Sequence, residues 1–264
     1  NIVVYGQHPS ASTQLMTGVG KLSSEIKNAE PDRKIILTGL HPSALPQRTL
    51  KEENCNFVCE GEGFYTLKGL LENSKLNNIP GLWWKENGNI KNTPRARNVQ
   101  NLSEELDDVA WDLLPMSKYK AHNWQCLDNL DSRLGYASIS TSLGCPFTCD
   151  FCSIHETFGE KKIRTWDPKW VVNQLKTLQE KYNVKNIKII DEMFILNPDH
   201  FMEIAEGIIK EDLKLNIWAY GRVDTIKEKH LENLKKAGFN WLCVGYEAGN
   251  EKVRKDVHKG KFTK

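Results

Sequence analysis

The sequence contains no apolar run approaching the roughly 18 residues that a membrane-spanning helix requires. It has no large excess of either charge, since 36 lysines and arginines face 34 aspartates and glutamates, for a net charge of +2. Its first residues, NIVVYGQHPS, contain neither the basic segment nor the cleavage site of a secretory signal. These absences argue against membrane and nucleic-acid partners and favour a cytoplasmic protein.

Cysteine is too scarce for a fold held together by disulfides, with seven in 264 residues. Three of the seven nevertheless lie within eight positions, in the stretch TSLGCPFTCDFC, as Cys145, Cys149 and Cys152. An odd count with three residues clustered is more typical of a reduced metal site in an intracellular protein.

The first third of the chain alternates strand-like and helix-like segments. Apolar runs at 2–6, 34–39 and 56–59 predict buried parallel strands. The first intervening segment has helical spacing, with Ser12 as its expected N-cap. This alternation predicts a Rossmann-like, doubly wound α/β domain. The later stretch GLWWKENGNIKN predicts a β-hairpin, and the polar chain after it resembles a connector.

The second half repeats the alternation in four strand–helix units. The predicted strands are 136–141, 186–190, 215–221 and 241–249. Four such units make half of a (β/α)8 barrel, and an open sheet of this size would expose an edge strand. The chain also begins without methionine on a strand-like run, so we expect a fragment of a longer protein.

We therefore divide the chain into three parts. Residues 1–78 form an incomplete α/β domain, residues 79–134 a connector, and residues 135–264 a partial (β/α) barrel. The predicted fold class is α/β throughout.

The clustered cysteines have several interpretations. Structural zinc requires four ligands, and its second pair would have to be Cys55 and Cys59 in a different predicted domain. An ordinary iron–sulfur cluster would need a fourth thiolate, such as Cys126 or Cys243. Three unrelated buried thiols are a poor alternative, because a loop with glycine, proline and aspartate is not a core segment. The remaining option is a cluster held by three thiolates with one iron open, and an open metal position is typical of catalysis.

The spacing C-x3-C-x-aromatic-C directly after a strand, with Phe151 at the aromatic position, resembles the signature of the radical S-adenosylmethionine (radical SAM) enzymes. The resemblance implies that Cys145, Cys149 and Cys152 hold a 4Fe–4S cluster. It further implies that the open iron binds the amino and carboxylate groups of SAM. An electron, from a donor such as flavodoxin or ferredoxin, would then release a 5′-deoxyadenosyl radical.

Charged residues follow the remaining predicted strands and are candidates for binding SAM. They are Asp191, Glu192, Arg222 and Glu247. In barrel folds the site gathers at the carboxyl ends of the strands, where a carboxylate could hold the SAM ammonium and arginine its carboxylate. The family often has Gly-Gly-Glu after the second strand, whereas this chain has Asp191-Glu192. The alternative for each residue is a solvated loop charge.

The loops TGLHP (38–42) and GEGF (61–64) resemble those of the cobalamin-binding domain that precedes many radical SAM enzymes. The stretch AWDLLPMSKY resembles the connector of the same group. The resemblance implies a cobalamin site that includes Ser12, Gly39, Gly61 and Gly63. The residues alone favour Gly39, Gly61 and Gly63 as turn formers, and only the resemblance favours a cobalamin site.

The sequence thus predicts a cobalamin-dependent radical SAM enzyme that transfers a methyl group to an unactivated centre of a small molecule. One alternative is a radical SAM cyclase or rearrangement enzyme acting on a tetrapyrrole or other natural product. Two others come from different classes: a non-catalytic iron–sulfur electron carrier and a cobalamin-binding sensor module.

Overall fold

A computed structural model describes residues 1–4, 16–257 and 259. The chain divides into two compact units, which are residues 1–99 with 152–160, and residues 100–151 with 161–264. The expected cap Ser12 lies outside the described residues. None of the described helices is long and apolar enough to cross a membrane.

The regular elements are numbered in chain order. Strands β1 to β11 are Ile2–Val4, Ile36–Gly39, Phe57–Cys59, Leu82–Glu86, Asn89–Asn92, Tyr136–Ile139, Ser142–Leu143, Arg164–Thr165, Asn186–Ile189, Asn216–Arg222 and Phe239–Gly245. Helices α1 to α10 are Met16–Ala29, Leu40–Ala44, Pro46–Glu52, Phe64–Leu71, Leu102–Glu105, Ile154–Phe158, Pro168–Tyr182, Pro198–Lys210, Glu228–Lys236 and Glu251–Asp256. Short 3-10 helices are Leu76–Asn78, Trp111–Leu113, Met116–Lys118, Asn123–Cys126 and Leu130–Arg133.

The first unit is built on a five-stranded sheet with the order β1-β2-β3-β4-β5. Strands β1, β2 and β3 are parallel, as the sequence predicted. The predicted hairpin forms β4 and β5 and turns at Asn87-Gly88, both with positive φ, as a two-residue turn requires. It pairs antiparallel with β3, so the sheet extends beyond residue 78. The physical reason is burial, because Leu82 and Trp84 pack on the same core cluster as Cys59.

Both faces of this sheet are covered by apolar residues. One cluster contains Ile35, Leu37, Leu50 and Val58. The opposite cluster contains Ile36, Cys59, Ile79, Leu82 and Trp84. Neighbouring residues of β2 therefore point into opposite cores, which is the alternation expected of a strand in a doubly wound sheet.

The second unit contains a four-stranded parallel sheet with the order β11-β10-β9-β6. Helices α7 and α8 connect its strands and begin with the same sequence signal. Asp167 and Asn197 each accept a hydrogen bond from a backbone N–H two residues later, and a proline follows each cap. Four strands with intervening helices match the predicted partial barrel. The candidate site lies at the carboxyl ends of these strands.

The two faces of this sheet differ in character. One face is apolar and fully buried, with Ile187, Ile189, Ile217 and Ala219. The other face carries a row set by the parallel register, in which Ser138 pairs with Lys188, Lys188 with Trp218, and Trp218 with Trp241. A packed parallel sheet is usually apolar on both faces, so Ser138 and Lys188 are unusual on this face of the sheet.

Candidate functional site

The cysteine motif lies on an irregular loop enclosed by a short ribbon, in which β7 pairs antiparallel with β8. Gly144 opens the loop with a φ of +94°, and a Cβ there would approach the carbonyl oxygen of Lys162 to 2.4 Å. Only glycine fits so tight a turn. Cys145 is buried, Cys149 is half-buried and Cys152 is exposed, and none of the three forms a disulfide.

The donor set of this loop suits an iron–sulfur cluster, because thiolates are the protein ligands of such clusters. Among the described residues, however, no three histidine, cysteine, aspartate or glutamate side chains lie close enough together to hold a metal ion. The structure therefore supplies three thiols on one irregular loop but leaves their ligand geometry open.

Asp191 anchors the start of the cysteine loop to the end of β9. It is only 1% exposed and accepts hydrogen bonds from the backbone N–H of Thr141 (2.6 Å), from the Thr141 hydroxyl (2.5 Å) and from the Ser142 hydroxyl (2.7 Å). Burial raises the pKa of Asp191 to about 6, although these hydrogen bonds oppose the shift. Asp191 thus has a structural role in the positioning of the loop.

His200 extends the same network. Its Nε2 lies 3.1 Å from the Thr141 hydroxyl oxygen. Because that hydroxyl gives its single proton to Asp191, His200 must donate its Nε2–H to the Thr141 oxygen. Burial lowers the pKa of His200 to about 4, so the ring is neutral near pH 7. Sequence reasoning did not single out His200, whose helical position gave no signal beyond an amphipathic pattern.

Glu192, the second acidic residue after β9, reaches the loop at a different point. Its Oε2 accepts a hydrogen bond from the backbone N–H of Gly144 (3.2 Å), directly before Cys145. Glu192 is half-buried, whereas Asp191 is enclosed. Of the two predicted carboxylates, Glu192 is the one that retains access to solvent.

Arg222, at the end of β10, contacts the second cysteine. Its Nη1 donates to the Cys149 sulfur at 3.4 Å, and its guanidinium lies 3.8 Å from the centre of the Phe147 ring. Two further hydrogen bonds, of 2.9 and 2.8 Å, bind both oxygens of Asp224. The hydrogen bond from Arg222 is the main reason that the pKa of Asp224 is lowered.

Glu247 follows β11 with a φ of +66° and forms an ion pair with Lys259, whose Nζ lies 2.9 Å from its Oε1. The Lys259 side chain is 8% exposed and that of Glu247 is 38% exposed. Lys259 Nζ also lies 5.7 Å from the ring centre of Phe151, the aromatic residue of the motif. The backbone carbonyl of Lys259 accepts a hydrogen bond from Arg222. Sequence reasoning missed Lys259, since one lysine in a basic segment carries no distinguishing pattern.

Of the expected cobalamin-binding glycines, Gly39 is the last residue of β2, and Gly61 and Gly63 lie in the loop after β3. Gly39, Gly61 and Gly63 have φ values of 110°, 106° and 92°, a region that only glycine adopts readily. The backbone N–H of Gly61 donates to the Ser43 hydroxyl at 3.1 Å, which ties the two loops together. Ser43 is buried and was not among the predicted site residues. The structure brings these glycine loops together; Ser12 lies outside the described residues.

The segment after Cys152 is anchored by two residues that the sequence assigned to a connector. Arg95 donates to the backbone carbonyl of Thr157, and Asn98 donates to that of Phe158. Gly159 has a φ of +67°, and a Cβ there would lie 3.2 Å from the Arg95 guanidinium carbon. The polar stretch TPRARN thus fixes the chain immediately downstream of the cysteine motif.

Comparison with known proteins indicates the family of the second half of the chain. Residues 139–264 match a family model of the radical SAM superfamily. An uncharacterized methyltransferase of Pyrococcus horikoshii is 31% identical over 256 residues, covering 95% of this chain and 53% of the relative. The anaerobic magnesium-protoporphyrin IX monomethyl ester cyclase of Synechocystis sp. is 27% identical over 261 residues, covering 96% of this chain and 50% of the cyclase. The chain thus spans about half the length of these curated relatives.

A solved structure has a similar fold. It is the radical SAM methyltransferase TsrM from Kitasatospora setae with cobalamin and a 4Fe–4S cluster bound, and it superposes with a TM-score of 0.72 at 16% identity. The match covers 100% of this chain and 50% of TsrM. The cysteine motif follows the first strand of a parallel β/α sheet, and the family match covers that sheet, so residues 139–264 belong to the radical SAM superfamily.

Proposed function

We propose that this chain is the cobalamin-binding and radical-generating part of an enzyme that transfers a methyl group to an unactivated centre of a small molecule. The observation that carries the proposal is the convergence of strand ends on the cysteine loop. Glu192 from the end of β9 contacts Gly144, and Arg222 from the end of β10 contacts Cys149. The methyltransferase relative and the cobalamin-bound neighbour support the reaction class and the cofactor.

When bound, the cluster with SAM supplies a 5′-deoxyadenosyl radical, and cobalamin supplies a carrier for the methyl group. In this proposal Cys145, Cys149 and Cys152 hold the cluster through their thiolates. Arg222 compensates the negative charge of the Cys149 thiolate. The enzyme is cytoplasmic and receives electrons from a flavodoxin or ferredoxin.

In this proposal, four charged residues have different roles in SAM binding. Glu192 and Glu247 offer carboxylates to the SAM ammonium, because both remain partly accessible. Arg222 is the candidate for the SAM carboxylate, although Asp224 already occupies two of its donors. Asp191 acts indirectly, because its oxygens are bound to Thr141 and Ser142.

Glu247→Gln tests this division. We expect weaker SAM binding to the anaerobically reconstituted protein by about tenfold or more, since a hydrogen bond to a charged group contributes about 1.5–3 kcal/mol. Isothermal titration with SAM measures the change. The matched control is Glu251→Gln, because Glu251 pairs with Lys255 within helix α10. Equal SAM affinity in Glu247→Gln and the control would remove Glu247 from the site.

Gly61→Ala and Gly63→Ala test the cobalamin site. Alanine at either position strains the backbone and adds a methyl group to the proposed binding loops, so hydroxocobalamin should bind about tenfold more weakly. The visible spectrum of the bound corrinoid measures this. Gly88→Ala is the matched control, since Gly88 also has a positive φ, of 78°, but lies in the hairpin turn with nothing within 4 Å of its added Cβ. If hydroxocobalamin affinity falls equally in Gly61→Ala, Gly63→Ala and Gly88→Ala, Gly61 and Gly63 only form turns.

The cyclase match keeps a second reaction class open, namely ring formation on a tetrapyrrole. Products distinguish the two. Methyl transfer from SAM yields S-adenosylhomocysteine and a methylated product, whereas a cyclase yields 5′-deoxyadenosine without S-adenosylhomocysteine. Chromatography of a turnover mixture with the full-length enzyme therefore decides between them.

The electron-carrier alternative requires a fourth thiolate. Cys126 donates a hydrogen bond to Asn186 at 3.3 Å, and Asn186 is the first residue of β9. The cysteine loop follows the last residue of β6, which is parallel to β9. Cys126 therefore lies at the opposite end of the sheet from the loop, which favours three-thiolate ligation.

A further inference from the structure

Lys188 occupies an unusual position in the four-stranded sheet. It lies on β9, which is paired on both sides by β6 and β10. Its neighbours on the strand, Ile187 and Ile189, are fully buried on the other face. A lysine on an inner strand of a parallel sheet is rare, because such strands are usually apolar on both faces. The residue therefore calls for an explanation other than packing.

The surroundings of Lys188 are aromatic. Its Nζ lies 5.5 Å from the ring centre of Trp218 and 5.4 Å from that of Tyr220, both on β10. Trp124 stacks on Trp218 with 6.5 Å between ring centres. Two aromatic rings about one ammonium hold it by cation–π attraction and fix its position.

The same face carries further polar groups at neighbouring register positions. Ser138 is exposed, and Tyr136, Tyr220 and Cys243 are half-buried. Burial raises the pKa of Tyr136 to about 12 and also raises that of Tyr220, so both keep their phenolic protons. The face therefore offers hydrogen-bond donors around a cation.

Trp218 provides independent evidence for a ligand on this face. The residue is 6% exposed, and its indole N–H has no hydrogen-bond partner among the described residues. A buried donor without a partner costs about 1–3 kcal/mol, so such groups in a site call for an acceptor. A ligand oxygen beside Lys188 would supply one after a small adjustment of the ring.

Burial is the larger effect on the pKa of Lys188 and lowers it, while the Cys243 thiol opposes the shift. A bound anion would compensate that desolvation, since an opposite charge favours the ammonium form. Lysine binds carboxylate and phosphate groups as a point charge with three donors. This face thus combines an ammonium with phenol, hydroxyl and indole donors and with aromatic rings. Such a surface is suited to bind an anionic group that is attached to a flat, apolar part of a ligand.

We propose that Lys188, together with Trp218 and Tyr220, binds an anionic group of the substrate, a carboxylate or a phosphate, on the polar face of the four-stranded sheet. This inference rests on the proposed function, because it assigns that face to the small molecule that is methylated. It names the substrate class as an anion with an unsaturated or aromatic portion that stacks on the rings.

Reductive labelling with pyridoxal 5′-phosphate, an aromatic anionic aldehyde, tests the inference on the anaerobically reconstituted protein. The lysine amine attacks the aldehyde carbon with loss of water, and cyanoborohydride then delivers hydride to the imine carbon to give a stable secondary amine. We expect Lys188 to be labelled about tenfold faster than the exposed Lys229, because burial increases its neutral-amine fraction and the face attracts the anion. Peptide mass spectrometry measures both sites.

Protection experiments identify the chemistry. Benzoate or phenyl phosphate should slow labelling of Lys188 but not of Lys229, and the better of the two indicates carboxylate or phosphate. Neutral benzamide should protect far less. Equal labelling of the two lysines, no protection by either anion, or equal protection by benzamide would overturn the inference.

Variants give a second readout. Titration with phenyl phosphate should show binding to the wild type and to Lys188→Arg, which keeps the charge, and about tenfold weaker binding to Lys188→Met. If Lys188→Met binds phenyl phosphate as well as Lys188→Arg does, the role of the charge is contradicted. Should Lys188→Met fail to fold, the labelling of the wild type still decides. None of these measurements requires SAM cleavage, so they can succeed or fail independently of the proposed reaction.

Discussion

Anaerobic reconstitution should give the wild-type protein a brown chromophore, and Cys145→Ala, Cys149→Ala and Cys152→Ala should each abolish it. A cubane cluster held by three thiolates contains about four irons per chain, and two remaining thiolates do not retain it. Iron and sulfide analysis together with the visible spectrum measures the loss. We expect near-complete loss of cluster in all three variants, and with it loss of any SAM cleavage.

Cys126→Ala and Cys243→Ala are the controls for this result. Cys126 is buried beside Asn186 at the start of β9, and Cys243 lies within β11, so neither should be a ligand. Both variants should keep the full iron content. Loss of the cluster in either one would indicate a fourth thiolate and would support the electron-carrier alternative.

Asp191→Ala should produce the largest loss of stability among the site variants. The substitution leaves the backbone N–H of Thr141 and the hydroxyls of Thr141 and Ser142 without their acceptor in a buried environment. The hydroxyls can find other partners, but the N–H cannot, so the loss is about 3 kcal/mol. Urea unfolding of the wild type and the variant measures the free energy of unfolding.

Asp191→Asn separates hydrogen bonding from charge. The amide oxygen can still accept from the Thr141 N–H, whereas the amide nitrogen replaces an acceptor with a donor, so we expect an intermediate loss of stability. Asp199→Ala is the exposed control, since that aspartate lies in the first turn of α8. A loss for Asp191→Ala no larger than for Asp199→Ala would show that the network does not stabilise the loop.

The local structure could be read largely from the chain itself. Asp167 before Pro168 favours the start of α7, because a side-chain acceptor and a fixed φ favour the same first turn. The stretch GLWWKENGNIKN predicted the hairpin, and its turn lies at Asn87-Gly88, where two consecutive positive φ values exclude most other residues. The resemblance to the family likewise rested on a local pattern, the spacing of three cysteines within one loop. These features depend on residues within a few positions of one another.

The partners of the site residues depended on the tertiary structure. The contact of Arg222 with Cys149 spans 73 positions, and the hydrogen bond from Arg95 to Thr157 spans 62. Asp191 became an anchor of Thr141 only when the parallel strands β6 and β9 placed their carboxyl ends side by side. Lys259 follows helix α10 and became a partner of Glu247 only through the packing of the segment after β11. Periodicity and caps report the backbone's local hydrogen bonds and the face that is buried. They carry no information on which distant charges meet, because that is set by strand order, register and side-chain packing.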